Sequence, residues 1–455
     1  MAEAYVNLEQ YERALDSLAR LTVGDYRGEK LDKAYFLTGW IRYRQGLFPM
    51  AMEQFQHILE ELPNSPYADD AHFWLGMSYF RSGAYAEAAD AFSRLVNVAP
   101  SSPLAPQARL KMGDSYYTLG EYLRARLAYL QVIEDYPGSK EAPEAEYGVI
   151  LSFYRVGEYD HFIEKTGEFL GKYPKHPLGA NVGLQLAEFH EENGQWEEAI
   201  STYREMLRNY PKGELADDAQ FRIGEIYMNM RWFPEAIAEY EKIPRQFPDS
   251  NRVVEAWYKI GESYYALKDF RSALKGYERV IYRFPKSGWD KRSYLKASEC
   301  YRVLKKPRWA EKTLKRLIGL YPNDPVVYEA SLNLGMLYLH DRDYRGAIAS
   351  FQKASDSSDE ATAALAQLRI GDAYLAVGDE EAATREFMKI PYLYPDRADY
   401  VEEALLKVGR IYMNHGRWSE AHHIYQRLVR AAQSKQTREI AGEMLERVEK
   451  EMSKR

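Results

Sequence analysis

The residues that could do chemistry are few. His415, His422 and His423 cluster near the C-terminus, but no acidic or cysteine ligand accompanies them at a spacing that would close a metal site, so surface histidines on helices are expected. The lone cysteine, Cys300, stands beside Tyr301 inside a predicted helix, where a small buried hydrophobe is the expected role. The sequence holds no phosphate-binding glycine loop, no His-Glu-x-x-His and no paired cysteines. Neither a metal nor a cofactor is therefore expected, and an enzyme is not the reading the residues favour.

What recurs is binding chemistry. Asp114, Glu188, Glu225, Glu262, Glu299 and Asp372 occupy one equivalent position, and Lys111, Arg222, Lys259, Lys296 and Arg369 stand three residues before most of them. Such pairs are neighbours on a helix, so the row reads either as a solvated ion-pair ladder or as an acidic track for a basic partner segment. Glu188, Glu191 and Glu192 have no base nearby in their own stretch. Aromatic residues recur too. Phe36, Phe73, Tyr147 and Tyr258 share one position, and Tyr43, Phe80, Tyr117, Tyr154 and Tyr265 share another seven residues on, which sets both on one helical face. Two readings stay open, packing between helices and an aromatic groove for a peptide or helix. Between Lys286 and Arg316 eleven Lys or Arg face three acids, with Arg292, Lys296 and Arg302 on one predicted helix. Either this is a solvated surface, or it docks an acidic protein, an anionic lipid head group or phosphate.

The elements that must position these residues repeat every 37 residues. Gly39, Gly76, Gly113, Ile150, Ala187, Gly224, Gly261, Ser298, Gly335, Gly371 and Gly409 are equivalent, and an alanine recurs twelve residues later except where Phe162 follows Ile150. Small residues at both positions are where helices approach closely, and the Ile150–Phe162 pair predicts a different local crossing. Tyr136-Pro137-Gly138-Ser139 and Phe247-Pro248-Asp249-Ser250 typify the junctions, where proline ends one helix and serine caps the next. In Ser65-Pro66 and Ser102-Pro103 the second proline is expected at the first helical position, with the three residues beyond the common repeat length extending that helix. Pro244 and Pro391 are expected to end or kink their helices at the preceding isoleucine. A step of 36 residues near Ala354–Ser358 predicts a bend, and Ile440, Met444, Leu445, Val448 and Met452 predict a capping helix over 437–455.

This pattern resembles the tetratricopeptide repeat, which implies an all-α, right-handed superhelical solenoid of antiparallel helix pairs. Eleven full repeats are expected, with a partial repeat over 1–26, repeats over 27–354, two more over 355–430 and a cap over 431–455. Tetratricopeptide domains that clamp a C-terminal carboxylate use lysine and asparagine where this chain has aromatics, leucines and acids, so that role is not expected. The 37-residue unit with Tyr-Pro-x-Ser junctions is similar to bacterial envelope repeats of the outer-membrane assembly lipoprotein, Tol-Pal coordinator and polysaccharide-export types. That resemblance implies a non-catalytic scaffold in the periplasm or at the inner face of the outer membrane, with a cytoplasmic location as the alternative. Its partners would be proteins or peptides in the aromatic groove. The rivals are a polysaccharide-export scaffold that binds glycan and the repeat portion of a larger protein with an effector domain upstream.

Net charge of −7 gives no general reason to expect nucleic acid, and no apolar run approaches a membrane span. Because Met1 falls in mid-helix by the repeat alignment, a longer natural chain is expected upstream, and any signal peptide or membrane anchor would lie there.

Overall fold

The computed structural model of the chain describes residues 2–22 and 29–454, and every regular element among them is an α-helix. They form two compact units that meet in sequence at Ala219 and Gln220. The N-terminal unit holds α1 (Ala2–Asn7) and α2 (Tyr11–Thr22), then the hairpins α3 (Glu29–Arg44) with α4 (Phe48–Glu61), α5 (Ala68–Ser82) with α6 (Tyr85–Val98), α7 (Ala105–Thr118) with α8 (Tyr122–Asp135), α9 (Ala142–Val156) with α10 (Tyr159–Lys172), and α11 (Pro177–Glu192) with α12 (Trp196–Asn209). Helix α13 (Ala216–Asn229) contains the division. Its hairpin partner α14 (Phe233–Gln246) opens the C-terminal unit, followed by α15 (Arg252–Ala266) with α16 (Phe270–Arg283), α17 (Trp289–Val303) with α18 (Pro307–Leu320), α19 (Val326–His340) with α20 (Tyr344–Ser355), α21 (Glu360–Val377) with α22 (Glu380–Leu393), α23 (Ala398–Asn414) with α24 (Trp418–Ala431), and α25 (Lys435–Met452). Within each unit successive helices pack side by side, and first helices also touch the first helices of neighbouring hairpins.

Size complementarity across each hairpin builds the core. A Cβ placed on Gly39 would stand 2.7 Å from the Phe55 ring, and one on Gly261 would stand 2.6 Å from Tyr277, so only glycine lets the second helix lay its ring on the first. The same approach recurs at the other glycines of this position, with Phe92, Tyr129, Tyr240, Phe351, Phe387 and Tyr425 as the rings. At two of the three positions where the first residue is larger, the second is no longer a ring, Ile150 with Thr166 and Ser298 with Leu314, all buried, whereas Ala187 keeps the fully buried ring of Tyr203 at the same spacing. With Phe162 also buried in the alanine position, α10 stands farther from α9 and α11 than the other second helices in its unit do from their neighbours. Volume is thus conserved by exchange between positions rather than at each one.

Three expectations about helix ends are corrected. Pro66 and Pro103 do not sit at the first helical position; the Ser65 and Ser102 side chains accept hydrogen bonds from Tyr67 N (3.1 Å) and Leu104 N (3.4 Å), forming a turn ahead of α5 and α7. Residues Pro63–Tyr67 stay outside the helix, so the additional length goes chiefly into the junction. Helices α14 and α22 run on through Pro244 and Pro391 to Gln246 and Leu393. Each proline lies in the last turn, where little helix remains to be disrupted, and Phe247 N still reaches Ile243 O at 2.8 Å. At the C-terminal end α25 starts at Lys435, capped by Ser434; it buries Ala441 and Val448, while Met452, expected inward, is 42% exposed.

The turn inside each hairpin needs one residue at positive φ. Glycine supplies it at Gly46, Gly83, Gly120, Gly157 and Gly194, and again at Gly378 and Gly416; Glu9 occupies it in the partial repeat, and Arg231, Lys268, Lys305 and Arg342 in the hairpins between.

Candidate partner-binding face

In the N-terminal unit the face of the first helices carries the expected aromatics, and most of each ring is spent on neighbours. Phe36 stacks on Tyr67 with centroids 5.2 Å apart, Tyr43 meets Trp74 at 5.0 Å, and Phe73 is buried against Phe92 at 5.8 Å. Phe80 packs on Tyr85 and Tyr117 on Tyr122, both at 5.2 Å, so the same first-helix position repeatedly meets the first residue of the second helix. Tyr154 contacts Tyr159, Phe162 and Phe189. These rings bind the hairpin together and leave mainly edges and hydroxyls on the face.

The hydroxyls link one first helix to the next. Tyr117 accepts from Arg155 Nε at 3.0 Å, Tyr147 accepts from Gln185 Nε2 at 3.0 Å, and Tyr154 donates to Glu192 at 3.4 Å. Burial raises the Tyr147 and Tyr154 hydroxyls above the ordinary tyrosine value, and at Tyr154 the Glu192 carboxylate adds to it. They remain protonated donors at neutral pH and supply no base. Glu188 and Glu191 are part-exposed on α11 and Glu192 is exposed, which places three carboxylates on the final turns of that helix.

In the C-terminal unit Tyr258 is buried between Tyr277 and Trp289, and Tyr265 packs edge-on to Phe270 at 5.2 Å. The Tyr265 hydroxyl donates to Glu299 at 2.5 Å; burial and that hydrogen bond push it up to about 12. The carboxylates of the row have partners: Lys259 stands 3.2 Å from Glu225 in the preceding repeat and 3.7 Å from Glu262 in its own, Lys296 3.4 Å from Glu299, and Asp372 takes Arg369 at 2.6 Å and Lys407 at 2.5 Å. In the N-terminal unit Lys111 pairs with Asp114 at 2.7 Å. Arg292, Lys296 and Arg302 do not converge. Lys296 and Arg302 line a cleft of about 240 Å³ with Leu314 and Met336, while Arg292 lies over the Trp289 ring in a wider cleft of about 670 Å³.

A second set of residues joins this row. The Tyr129 hydroxyl donates to Asp114 at 2.9 Å, and Tyr240 donates to Glu225. Burial, then the neighbouring carboxylate, drives both phenols far above their ordinary value. Both tyrosines are the rings that face the glycines, so one side chain fills the core and tethers an acid on the first-helix face. The signal lies in the sequence: repeats with apolar Trp40, Met77 or Met336 beside the glycine carry Phe55, Phe92 or Phe351, whereas those with Asp114, Glu225 or Glu262 carry Tyr129, Tyr240 or Tyr277. Asp372 with Phe387 departs from it, where two bases replace the hydroxyl, as does Arg410 with Tyr425, and the buried Tyr277 hydroxyl makes no hydrogen bond among the described residues.

The cysteine and the C-terminal histidines lie apart from this face. Cys300 is buried and burial pushes its thiol up to about 12. His422 reaches Glu449 at 3.2 Å and His415 pairs separately with Glu380; no group of three ligating side chains occurs among the described residues.

Comparison with known proteins agrees with this architecture. Residues 73–226 match the YfiO family, described as an outer membrane lipoprotein. Tetratricopeptide-repeat models match 218–250, 255–287 and 403–432, and a second such model matches 1–66 and 301–362. No curated protein matches the chain. A solved structure titled "Functional Characterization of Pseudomonas Aeruginosa pilF" aligns with 49% of this chain and 95% of its own at 19% identity and a TM-score of 0.35. One titled "Crystal structure of MamA" aligns with 43% and 95% at 20% identity and a TM-score of 0.30. The YfiO match points to the cell envelope, and among the described residues no helix is long and apolar enough to cross a membrane.

Proposed function

Because the chain is built from tetratricopeptide repeats, we propose that it is a non-catalytic scaffold of bacterial envelope assembly that holds a partner peptide or helix on the first-helix face of its N-terminal unit. The observation that carries this reading is the coincidence of the YfiO-like span, 73–226, with the stretch whose first helices present Phe80, Tyr117, Tyr147, Tyr154 and the carboxylates of Glu188, Glu191 and Glu192. The same match supports a periplasmic location as part of this reading. Aromatic edges and hydroxyl donors on a rigid helical scaffold suit an apolar side chain flanked by peptide amides. The glycan-binding alternative is less favoured, because stacking on a sugar needs an open ring face and these rings lie against their neighbours at 5.2–6.3 Å.

Photo-crosslinking tests it directly. A benzophenone side chain replacing Glu188 on α11 should capture a defined envelope protein in living cells, and the same group at Asp160 on α10 should not. Changing Tyr117, Tyr147 and Tyr154 together to alanine should remove the product while the chain stays helical. Equal capture from both positions, or capture that survives the triple change, would refute the assignment.

A further inference from the structure

Four successive hairpin turns place a basic residue in left-handed backbone: Arg231 at φ 61°, Lys268 at 61°, Lys305 at 57° and Arg342 at 63°. That region favours glycine and, among other residues, Asn and Asp, whose short side chains bond locally; Arg and Lys have no such advantage. Glycine does hold the equivalent turn in seven other hairpins. An unbroken run of cations where the backbone alone would select glycine implies that the side chains serve something outside the fold. All four are exposed, and none of their side chains makes an ion pair or hydrogen bond among the described residues.

Apolar side chains project from the same turns. Trp232, Leu267, Val303 and Trp309 are 40–52% exposed, and the two tryptophans are held by stacking on Tyr227 and Tyr301 at 5.9 and 6.0 Å. Arg271, Lys306, Arg308 and Arg345 add exposed cations. The acids at these turns are Glu235, Asp269, Asp341 and Asp343, of which Asp269 and Asp343 also cap helices, accepting from Ser272 N at 3.1 Å and Gly346 N at 3.0 Å, so eight exposed cations stand against four carboxylates. A soluble polyanion without rings to stack, such as a sulfated glycan, would be gripped by cations alone. Lysine and arginine interleaved with rigid tryptophans and aliphatic tips are what the head-group region of a bilayer accepts.

We propose that the hairpin-turn edge of the C-terminal unit, marked by Arg231, Lys268, Lys305 and Arg342, docks on an anionic lipid surface, with Trp232, Leu267, Val303 and Trp309 at interfacial depth. This goes beyond partner binding on the first-helix face and does not depend on it.

The test is vesicle sedimentation at low salt with the full chain and its fourfold variant Arg231→Gly, Lys268→Gly, Lys305→Gly, Arg342→Gly. Glycine suits each turn, so helicity should be unchanged. The natural chain should bind phosphatidylcholine vesicles only when phosphatidylglycerol is included, and the variant's partition coefficient should fall on the order of a thousandfold, as expected for four cations at an anionic leaflet. Trp232→Ala with Trp309→Ala should weaken vesicle binding while sparing any binding to dextran sulfate. Indifference to phosphatidylglycerol, or equal binding by the fourfold variant, overturns the proposal. So does preference for dextran sulfate with vesicle binding untouched by the tryptophan changes, which would make the edge a polyanion site.

Discussion

At the scale of single residues the fold rests on a contact between a missing side chain and a ring. Gly261→Ala tests which of two opposed effects wins. Alanine gains about 1 kcal/mol of helix propensity, but its Cβ would meet the Tyr277 ring at 2.6 Å, and overpacking a filled core costs about 1–3 kcal/mol. Ala187 opposite the fully buried Tyr203 shows that a repeat built around alanine can hold its ring, but Tyr277 is fully buried in surroundings fitted to glycine, so net destabilisation is expected, seen as a lower denaturation midpoint. Adding Tyr277→Leu should recover part of the loss, because Ser298 and Leu314 already show a larger first residue with a smaller second. The glycine period was legible in the sequence because it repeats, whereas its partner ring was not, since contact across a hairpin depends on helix orientation that spacing alone does not supply. The same gap hid the tethers from Tyr129 to Asp114 and from Tyr240 to Glu225, although the exchange of tyrosine for phenylalanine follows the neighbouring acid along the chain.

At the scale of elements, helices were readable and their first residues were not. Ser65 and Ser102 have the chemistry of an N-cap, yet the same hydroxyl closes a turn two residues earlier, and sequence does not separate the two uses. Asp269, Asp343, Asp359 and Asp379 do cap helices, accepting from N–H groups at 2.9–3.1 Å, as Ser434 does for α25. Hydrogen bonds from the Thr362 hydroxyl and N–H hold the Asp359 carboxyl below the ordinary aspartate range. A depressed folded value means that stability is present above the unfolded value, near 3.9, and is lost as pH falls through the folded one. Asp359→Ala should therefore cost about 1 kcal/mol at neutral pH, read as a lower Tm, and the difference should shrink below about pH 4. Asp359→Asn should keep the cap at both pH values. The turns give a prediction of opposite sign. Lys268→Gly should raise Tm, because left-handed backbone costs a non-glycine residue about 1–2 kcal/mol that glycine avoids. A fall in Tm would mean that the Lys268 side chain contributes to the fold after all.

At the scale of the whole chain, stability in a repeat array is close to a sum of each repeat's own terms and those at its neighbours' interfaces, so the least coupled element should open first. The period announced the array, and the Ile150–Phe162 irregularity announced where it changes, but not the consequence. Whether the first-helix face takes a partner was not legible, because its aromatic residues also pack on one another, and one residue type suits both purposes. In the N-terminal unit α10 is the least coupled of the second helices with complete repeats on both sides. It lies farther from its neighbours, buries a Thr166 hydroxyl with no partner among the described residues, and carries Gly167 in its interior and Gly171 in its last turn. Neither glycine faces anything within 4 Å, unlike those at the hairpin contacts, so here alanine meets no ring and only its helix propensity counts. Native-state hydrogen exchange should show α10 amides exchanging ahead of those in α8 and α12. Gly167→Ala with Gly171→Ala should slow that exchange by roughly fivefold to tenfold, from about 1 kcal/mol at Gly167 and less at Gly171 in the last turn. Protection of α10 equal to that of α8 in the natural chain would mean that its wider separation carries no energetic cost.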